Sequence, residues 1–192
     1  MLKSQDCLIL LKLLANPNEE WSQRKLSKEL CVSLAEVNAG IKRLIEARLM
    51  RKGKGSQLIP LLAASEEFLI SGMKYMFPGR LGEFTRGIPT AYATPLFSKK
   101  IALGNDPIPV WPYAFGEKQG VALEPIHPSV PKSLHENPDE SFYELLVLVD
   151  TIRVGRARER NMAISMLKDR LKDESSKSKD ARVSSEQVGK SL

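Results

Sequence analysis

The chain has 192 residues, of which 42% are apolar and 27% charged, with a formal net charge of +6. That length can bury a core of its own. No apolar run approaches the roughly 20 residues that a membrane helix needs, since Cys7 to Ala15 is short and interrupted by Lys12, so no membrane partner is expected. With only Cys7 and Cys31 there is neither a disulfide framework nor metal-ligand spacing, and no cofactor or metal is expected. Met1 to Asp6 leads into a helix rather than a signal peptide, which makes a reducing cytoplasm the expected compartment. The charge is unevenly placed, at +5 over residues 1–64, −3 over 65–145, +4 over 146–172 and 0 over 173–192. A basic N-terminal domain points to a polyanion partner.

Apolar residues at 7, 8, 10, 11, 13 and 14 predict a strongly hydrophobic helix from Lys3 to Ala15, ended by Asn16 and Pro17. Ser22 is a good N-cap for a second helix to about Leu30, with Leu26 and Leu30 inward. Ser33 and Glu36 form the S-x-x-E capping box that starts a third helix through about Ala47. Its apolar positions Leu34, Val37, Ile41, Leu44 and Ile45 recur at three and four. In "RLMRKGKGSQLIP", short apolar ends flank a Gly-rich basic tip, the pattern of a hairpin. Three helices and then a hairpin is the element order of a winged helix-turn-helix, over residues 2–64.

Ser65, followed by Glu66 and Glu67, reads as the N-cap of a helix to about Met76. Residues 77–138 hold ten of the twelve prolines, which exclude long helices. Yet Phe84, Tyr92, Phe97, Trp111, Tyr113 and Phe115 make the stretch too apolar for a free linker. The expectation for 65–138 is therefore one helix plus an ordered, mostly irregular segment. It would carry a few short strands such as "GVALEPI", laid across a helical surface. From Asp139 or Glu140 to residue 172 the pattern is one long helix or two consecutive ones, with Gly155 the weak point. Residues 173–192, rich in serine and without aromatics, read as a disordered tail. The fold class is mainly α.

The run "WSQRKLSKELCVSLAEVNAGIKRLIEARLM" resembles the winged helix-turn-helix of MarR-like bacterial regulators. The likeness covers about residues 4–64 and lies in the Leu-Ser-Lys-Glu-Leu second helix, the turn ending in Ser33, and the inward Val37, Ile41 and Leu44. It implies a DNA-binding transcriptional regulator acting as a homodimer on double-stranded DNA, with the third helix in the major groove and the wing on the backbone or minor groove. On that resemblance Ala35, Asn38, Ala39, Lys42 and Arg43 face the groove. Gln23, Arg24 and Lys25 lie where phosphates pass, and Lys52, Lys54 and Ser56 sit at the wing tip. Lys and Arg neutralise phosphates, while Asn38 is suited to an adenine edge.

The sequence departs from that pattern at Leu34, Ala35 and Ala39, which offer little base discrimination, so Asn38, Lys42 and Arg43 carry most of the reading. Glu36 repels phosphate unless its cap holds it. Cys31 stands where such turns usually have Gly, tolerable if its backbone keeps a negative φ, and a redox role for it is the minor alternative. A second reading makes the same bare face a docking surface, and the chain a non-catalytic interaction subunit, antitoxin-like or regulatory, of a two-gene system.

In "RVGRARER", a helix continuous through Gly155 would turn Arg156 and Arg160 inward on the face of Leu145, Ile152, Ala163 and Leu167. Buried guanidinium needs an anion or a carboxylate. One reading is an anion or ligand site with Arg86 and Tyr92, and the other is salt bridges to Glu83, Glu117, Glu124 or Asp150. His127 and His135 lack companions at ligand spacing, and Trp111 and Tyr113 read as anchors of the irregular segment rather than a ligand wall. No G-x-S-x-G, H-E-x-x-H or phosphate loop is present, so a non-enzyme is expected.

Overall fold

Helix α1 (Ser4–Ala15) is buried from Asp6 to Ala15 on every side. A helix that is apolar all round has no face for solvent, and α1 is covered by α2 (Gln23–Leu30), α3 (Leu34–Glu46) and α8 (Glu140–Val154). The computed structural model describes the backbone of residues 1–98 and 107–188, and the side chains of all of these except 56, 98 and 174–188. The two charged groups that α1 takes into the core are both paired. Asp6, fully buried, accepts two bonds from Arg43 of α3, at 2.7 and 2.6 Å. Lys12, 2% exposed, reaches Glu29 of α2 and Asp139 before α8, each at 2.8 Å. Its ammonium also lies 5.5 and 5.0 Å from the ring centres of Trp21 and Phe142.

Local signals set the next two helices. Ser22 Oγ accepts from the Lys25 N–H at the start of α2, and Ser33 and Glu36 form the expected reciprocal cap of α3. Val37, Gly40, Ile41 and Leu44 of α3 are buried. A Cβ on Gly40 would stand 2.7 Å from Ile9 Cδ1 and 2.8 Å from Asp6 Oδ1, so a side chain there would push Ile9 and the Arg43-bonded Asp6 aside. Strands β1 (Met50–Lys52) and β2 (Leu58–Pro60) then pair antiparallel, with Met50 opposite Pro60 and Lys52 opposite Leu58. The tip is closed by the Gly53 N–H on the Gln57 carbonyl and by Gly55 at φ 62°.

The next helical stretch begins earlier than Ser65. It runs as α4 (Leu62–Glu67), a π-helical turn at Phe68–Gly72 and α5 (Met73–Met76). Ser65 lies inside it, its N–H on the Leu61 carbonyl, and its buried hydroxyl has no hydrogen-bond partner. The helix starts as soon as Pro60 ends the strand, so the Ser65 cap predicted from sequence is corrected to an interior position.

The Pro-rich segment is more regular than its composition predicts. Strand β3 (Leu81–Pro89), with α6 (Pro95–Ser98) after it, pairs antiparallel with both β4 (Pro109–Pro112) and β5 (Lys118–Leu123), and β4 pairs parallel with β5. The three strands thus close on one another. Pro89, Pro109 and Pro112 stand at strand ends, where a missing N–H is tolerated. Gly87 pairs with β4 and β5 at once, and a Cβ there would run into the Trp111 carbonyl. The anticipated strand "GVALEPI" contributes Gly120 to Leu123 to β5. Helix α7 (Val130–Glu136) follows and leads to α8.

Helix α8 starts at Asp139, whose Oδ1 accepts the Phe142 N–H, and stops at Gly155, which is extended at ψ 150°. Helix α9 (Ala157–Val188) begins after it. The break occurs at the predicted weak point, and it shifts the inward register. Arg156 is exposed, Arg160 donates to the Ile152 and Gly155 carbonyls at the end of α8, and the buried arginine is Arg153. The inward placement predicted for Arg156 and Arg160 is therefore corrected. Arg153 pairs with Asp150 at 2.6 Å and donates to the Phe77 and Glu124 carbonyls. The other Asp150 oxygen accepts from Trp111 Nε1 at 2.6 Å and Thr90 Oγ1 at 3.0 Å. Where composition predicts a disordered tail from 173, the α9 backbone stays helical to Val188, with no Pro or Gly before Gly189 to stop it. The rest of that tail, 189–192, lies outside the described residues.

The fold is mainly α, with two small sheets. One apolar cluster runs from Cys7 through Leu44, Trp111 and Leu148 to Leu171, so the division expected near residue 64 does not divide the core. Among the described residues no helix is long and apolar enough to cross a membrane. Removing one partner of a buried ion pair leaves the other uncompensated. Asp150→Ala is therefore expected to cost about 3–5 kcal/mol in urea unfolding, because it leaves Arg153 buried without its carboxylate and frees Trp111 and Thr90 of the β-unit from α8.

Candidate nucleic-acid interface

The outward face of α3 is set by the inward one. With Val37, Ile41 and Leu44 buried, Leu34, Ala35, Asn38 and Lys42 are left exposed and Ala39 partly so. Leu34 is 45% exposed, a large apolar side chain at the surface. Arg43 leaves this face. Its guanidinium turns to the buried Asp6 in a fork of two charge-assisted bonds, so the base-reading role expected for it is corrected to a structural one. Asn38 and Lys42 remain as exposed polar groups on this face of the helix.

Glu36 does not stand free against a phosphate. Ser33, through its hydroxyl and then its backbone N–H, holds the Glu36 carboxyl below its ordinary 4.5, and the carboxylate accepts the Ser33 N–H at 2.9 Å. At the start of α2, Gln23 and Arg24 are exposed, whereas Lys25 is held by Glu19 at 2.7 Å and lies 4.8 Å from the Trp21 ring centre. Lys52 and Lys54 are exposed on the hairpin, while the side chain of Ser56 lies outside the described ones. A cavity of about 510 Å³ lies between Trp21 and Ser22 on one side and Lys54, Gly55 and Gln57 on the other. The hairpin tip thus lies next to the N-terminus of α2, with Glu20 also on the cavity wall, an adjacency that linear spacing does not encode. Arg48, just past α3, and Arg51 of β1 are also exposed. Arg48 adopts φ 56° at the end of α3, a feature with no sequence signature.

The turn between α2 and α3 is strained. Cys31 adopts φ 52°, ψ 40°, in the left-handed region that a Cβ disfavours. The expectation that it keeps a negative φ is thereby corrected. The turn needs a left-handed residue to let its N–H reach the Lys28 carbonyl. Its thiol is 3.3 Å from Glu136 of α7, and burial, followed by Glu136, pushes it up, away from the thiolate form that redox chemistry uses. Asn137, just after α7, donates to the Lys28 and Glu29 carbonyls at 3.4 Å, so the α7–α8 corner is attached to the turn.

The residues considered for an anion site fall on four different elements. Arg86 is exposed on β3 and Tyr92 is half-buried in the turn after it. Arg156 is exposed between α8 and α9, and Arg160 caps α8. Its donors satisfy carbonyls that a helix end leaves open, so an anion site centred on Arg160 is corrected to a helix cap. Trp111 anchors the β-unit through Asp150, as expected of it. His127 bonds Ser129, and His135 stacks on Phe115. Among the described residues no group of three His, Cys, Asp or Glu is placed to hold a metal ion. Comparison of the chain with protein-family models, with curated proteins and with solved structures finds no match in any of them.

A Cβ at positive φ costs roughly 1–2 kcal/mol, so Cys31→Gly is expected to raise the urea-unfolding free energy by about 1 kcal/mol. Because the folded Glu36 carboxyl lies below its ordinary value, its contribution is fully present above pH 4.5 and is lost as the pH falls below it. Wild type should accordingly lose more stability on acidification through that range than Glu36→Gln, whose amide keeps the cap without titrating.

Proposed function

We propose that residues 2–64 form a winged helix-turn-helix and that the chain is a cytoplasmic, non-catalytic transcriptional regulator that binds bacterial duplex DNA as a homodimer. The observation that carries this reading is the open face of α3, with Asn38 and Lys42, beside a hairpin bearing Lys52 and Lys54 and a capped α2 N-terminus. Lys42, Lys52 and Lys54, with Arg24, Arg48 and Arg51, contact phosphates, and Asn38 reads a base edge. So few base contacts give modest specificity per protomer, which two half-sites strengthen. Leu34 and Ala35 are placed for thymine methyl groups.

A second reading is favoured by Leu34 being 45% exposed while Arg43 is withdrawn. A reading helix with one large apolar group and few donors also suits a protein surface. The chain is then the non-catalytic partner of an enzyme in a two-gene system.

Binding of the wild type to duplex DNA from its own upstream region, followed over a salt series, separates the two. Each phosphate contact contributes about 0.9 to the slope of log affinity against log salt. The Lys42→Ala, Lys52→Ala, Lys54→Ala triple variant should lower that slope by about 2–3, and Asn38→Ala should reduce discrimination with the slope unchanged. No binding at about 50 mM salt, or an unchanged slope in the triple variant, contradicts the regulator reading.

A further inference from the structure

A cavity of about 470 Å³ opens between the turn that joins β4 to β5 and the corner between α7 and α8. Part of its wall is aromatic, beside the apolar Ile88, Pro89, Leu134 and Pro138. Phe115, 72% exposed, stacks on His135 with ring centres 5.5 Å apart and planes at 13°. Tyr113 meets both rings edge-on or tilted, at 5.6 and 5.4 Å. Tyr143 lines the cavity from α8. Its hydroxyl donates to the Pro89 carbonyl at 2.7 Å, and burial pushes it up to about 12. Ring faces are electronegative and attract cations. The charged groups on the rim are Glu117, Glu140 and Lys118, while Asp139 is already bonded to Lys12 and Asn16. Two carboxylates against one ammonium leave the rim negative beside the aromatic wall.

The same corner holds the helix-turn-helix from its other side. Leu134, His135 and Pro138 line the cavity, while Glu136 meets Cys31 and Asn137 donates to the Lys28 and Glu29 carbonyls. Asp139 and Glu29 share the ammonium of Lys12. A ligand that shifts residues 134–139 therefore pulls on the C-terminus of α2 and on the strained turn ahead of α3.

We propose that this cavity binds a small organic cation, an aromatic or methylated ammonium, and that its occupancy is coupled to the α2–α3 turn. Tyr113, Phe115 and Tyr143 provide the aromatic wall, and Glu117 and Glu140 select the charge. The consequence for DNA affinity rests on the regulator reading above, but the site and its link to the turn do not.

Benzyltrimethylammonium chloride, titrated at constant ionic strength into the full-length protein and followed by amide resonances, tests both parts. Saturable shifts are expected at residues 113–118 and 134–140, with a dissociation constant of about 1 mM or below and the same constant read at residues 28–33. Benzenesulfonate, similar in shape and opposite in charge, should not saturate. Phe115→Ala and the Glu117→Gln, Glu140→Gln pair, all at exposed positions, should each weaken binding about fivefold while the spectrum stays folded. No saturation by about 50 mM, equal binding of the anion, or affinity untouched in both variants overturns the site. Saturation at 113–118 with residues 28–33 unmoved overturns the coupling. A protein that binds this probe but no DNA retires the regulator reading and leaves the site standing.

Discussion

Two charges inside one buried helix set the arrangement of everything around it. Helix α1 has no solvent face from Asp6 to Ala15, so Asp6 and Lys12 must each find a partner from another element. Asp6 takes the guanidinium of Arg43 and thereby fixes the rotation of α3. Lys12 takes Glu29 and Asp139, tying α2 and the start of α8 to the same axis. Buried pairs of this kind contribute less to net stability than to which partners meet, since desolvation offsets most of their attraction. Any slip of α3 on α1 would leave Asp6 buried without a counter-charge and would bring Gly40 off its close contact with Ile9.

The same device recurs at the far end of the core. Asp150 and Arg153 join α8 to the β-unit through Trp111, Thr90 and the carbonyls of Phe77 and Glu124. Helix α8 therefore touches the N-terminal helices through its N-cap and the β-unit through its last turns. Just ahead of it, Glu136 at the end of α7 and Asn137 after it form the corner that grips Cys31, Lys28 and Glu29. In such a frame the three N-terminal helices are part of one packed body, and the use of Arg43 as a brace explains why the exposed face of α3 is so bare.

Features written in adjacent residues were legible in the sequence. Ser22, the Ser33 and Glu36 cap, the basic hairpin tip and the break at Gly155 all appear where local chemistry places them. What was illegible depends on distant partners. Nothing near Arg43 announces that Asp6 will bury beneath it, and Asp6 by itself looks like an ordinary acidic residue of a first turn. The arginines follow from a related cause: a straight helix through Gly155 keeps Arg156 and Arg160 inward, but an extended Gly155 resets the register and leaves Arg153 inside. Ser65 followed by two glutamates imitates a cap, but the helix had already begun at Leu62. The closed three-stranded unit was hidden because its prolines sit at strand ends and its strands pair across long separations in sequence. For the candidate interface, exposure of Ala35, Asn38 and Lys42 followed from the apolar stripe, whereas the adjacency of Lys54 to Ser22 did not.

If the buried charges of α1 bind the two halves into one body, the three N-terminal helices cannot lose their structure while the rest of the chain keeps its own. Urea unfolding of the full-length protein, read residue by residue from amide resonances of α3 and of α8, measures this directly. A single midpoint shared by Val37, Ile41 and Leu44 with Leu146, Val149 and Ile152 is the predicted result. Separate transitions, with α3 melting while α8 remains folded, would contradict it.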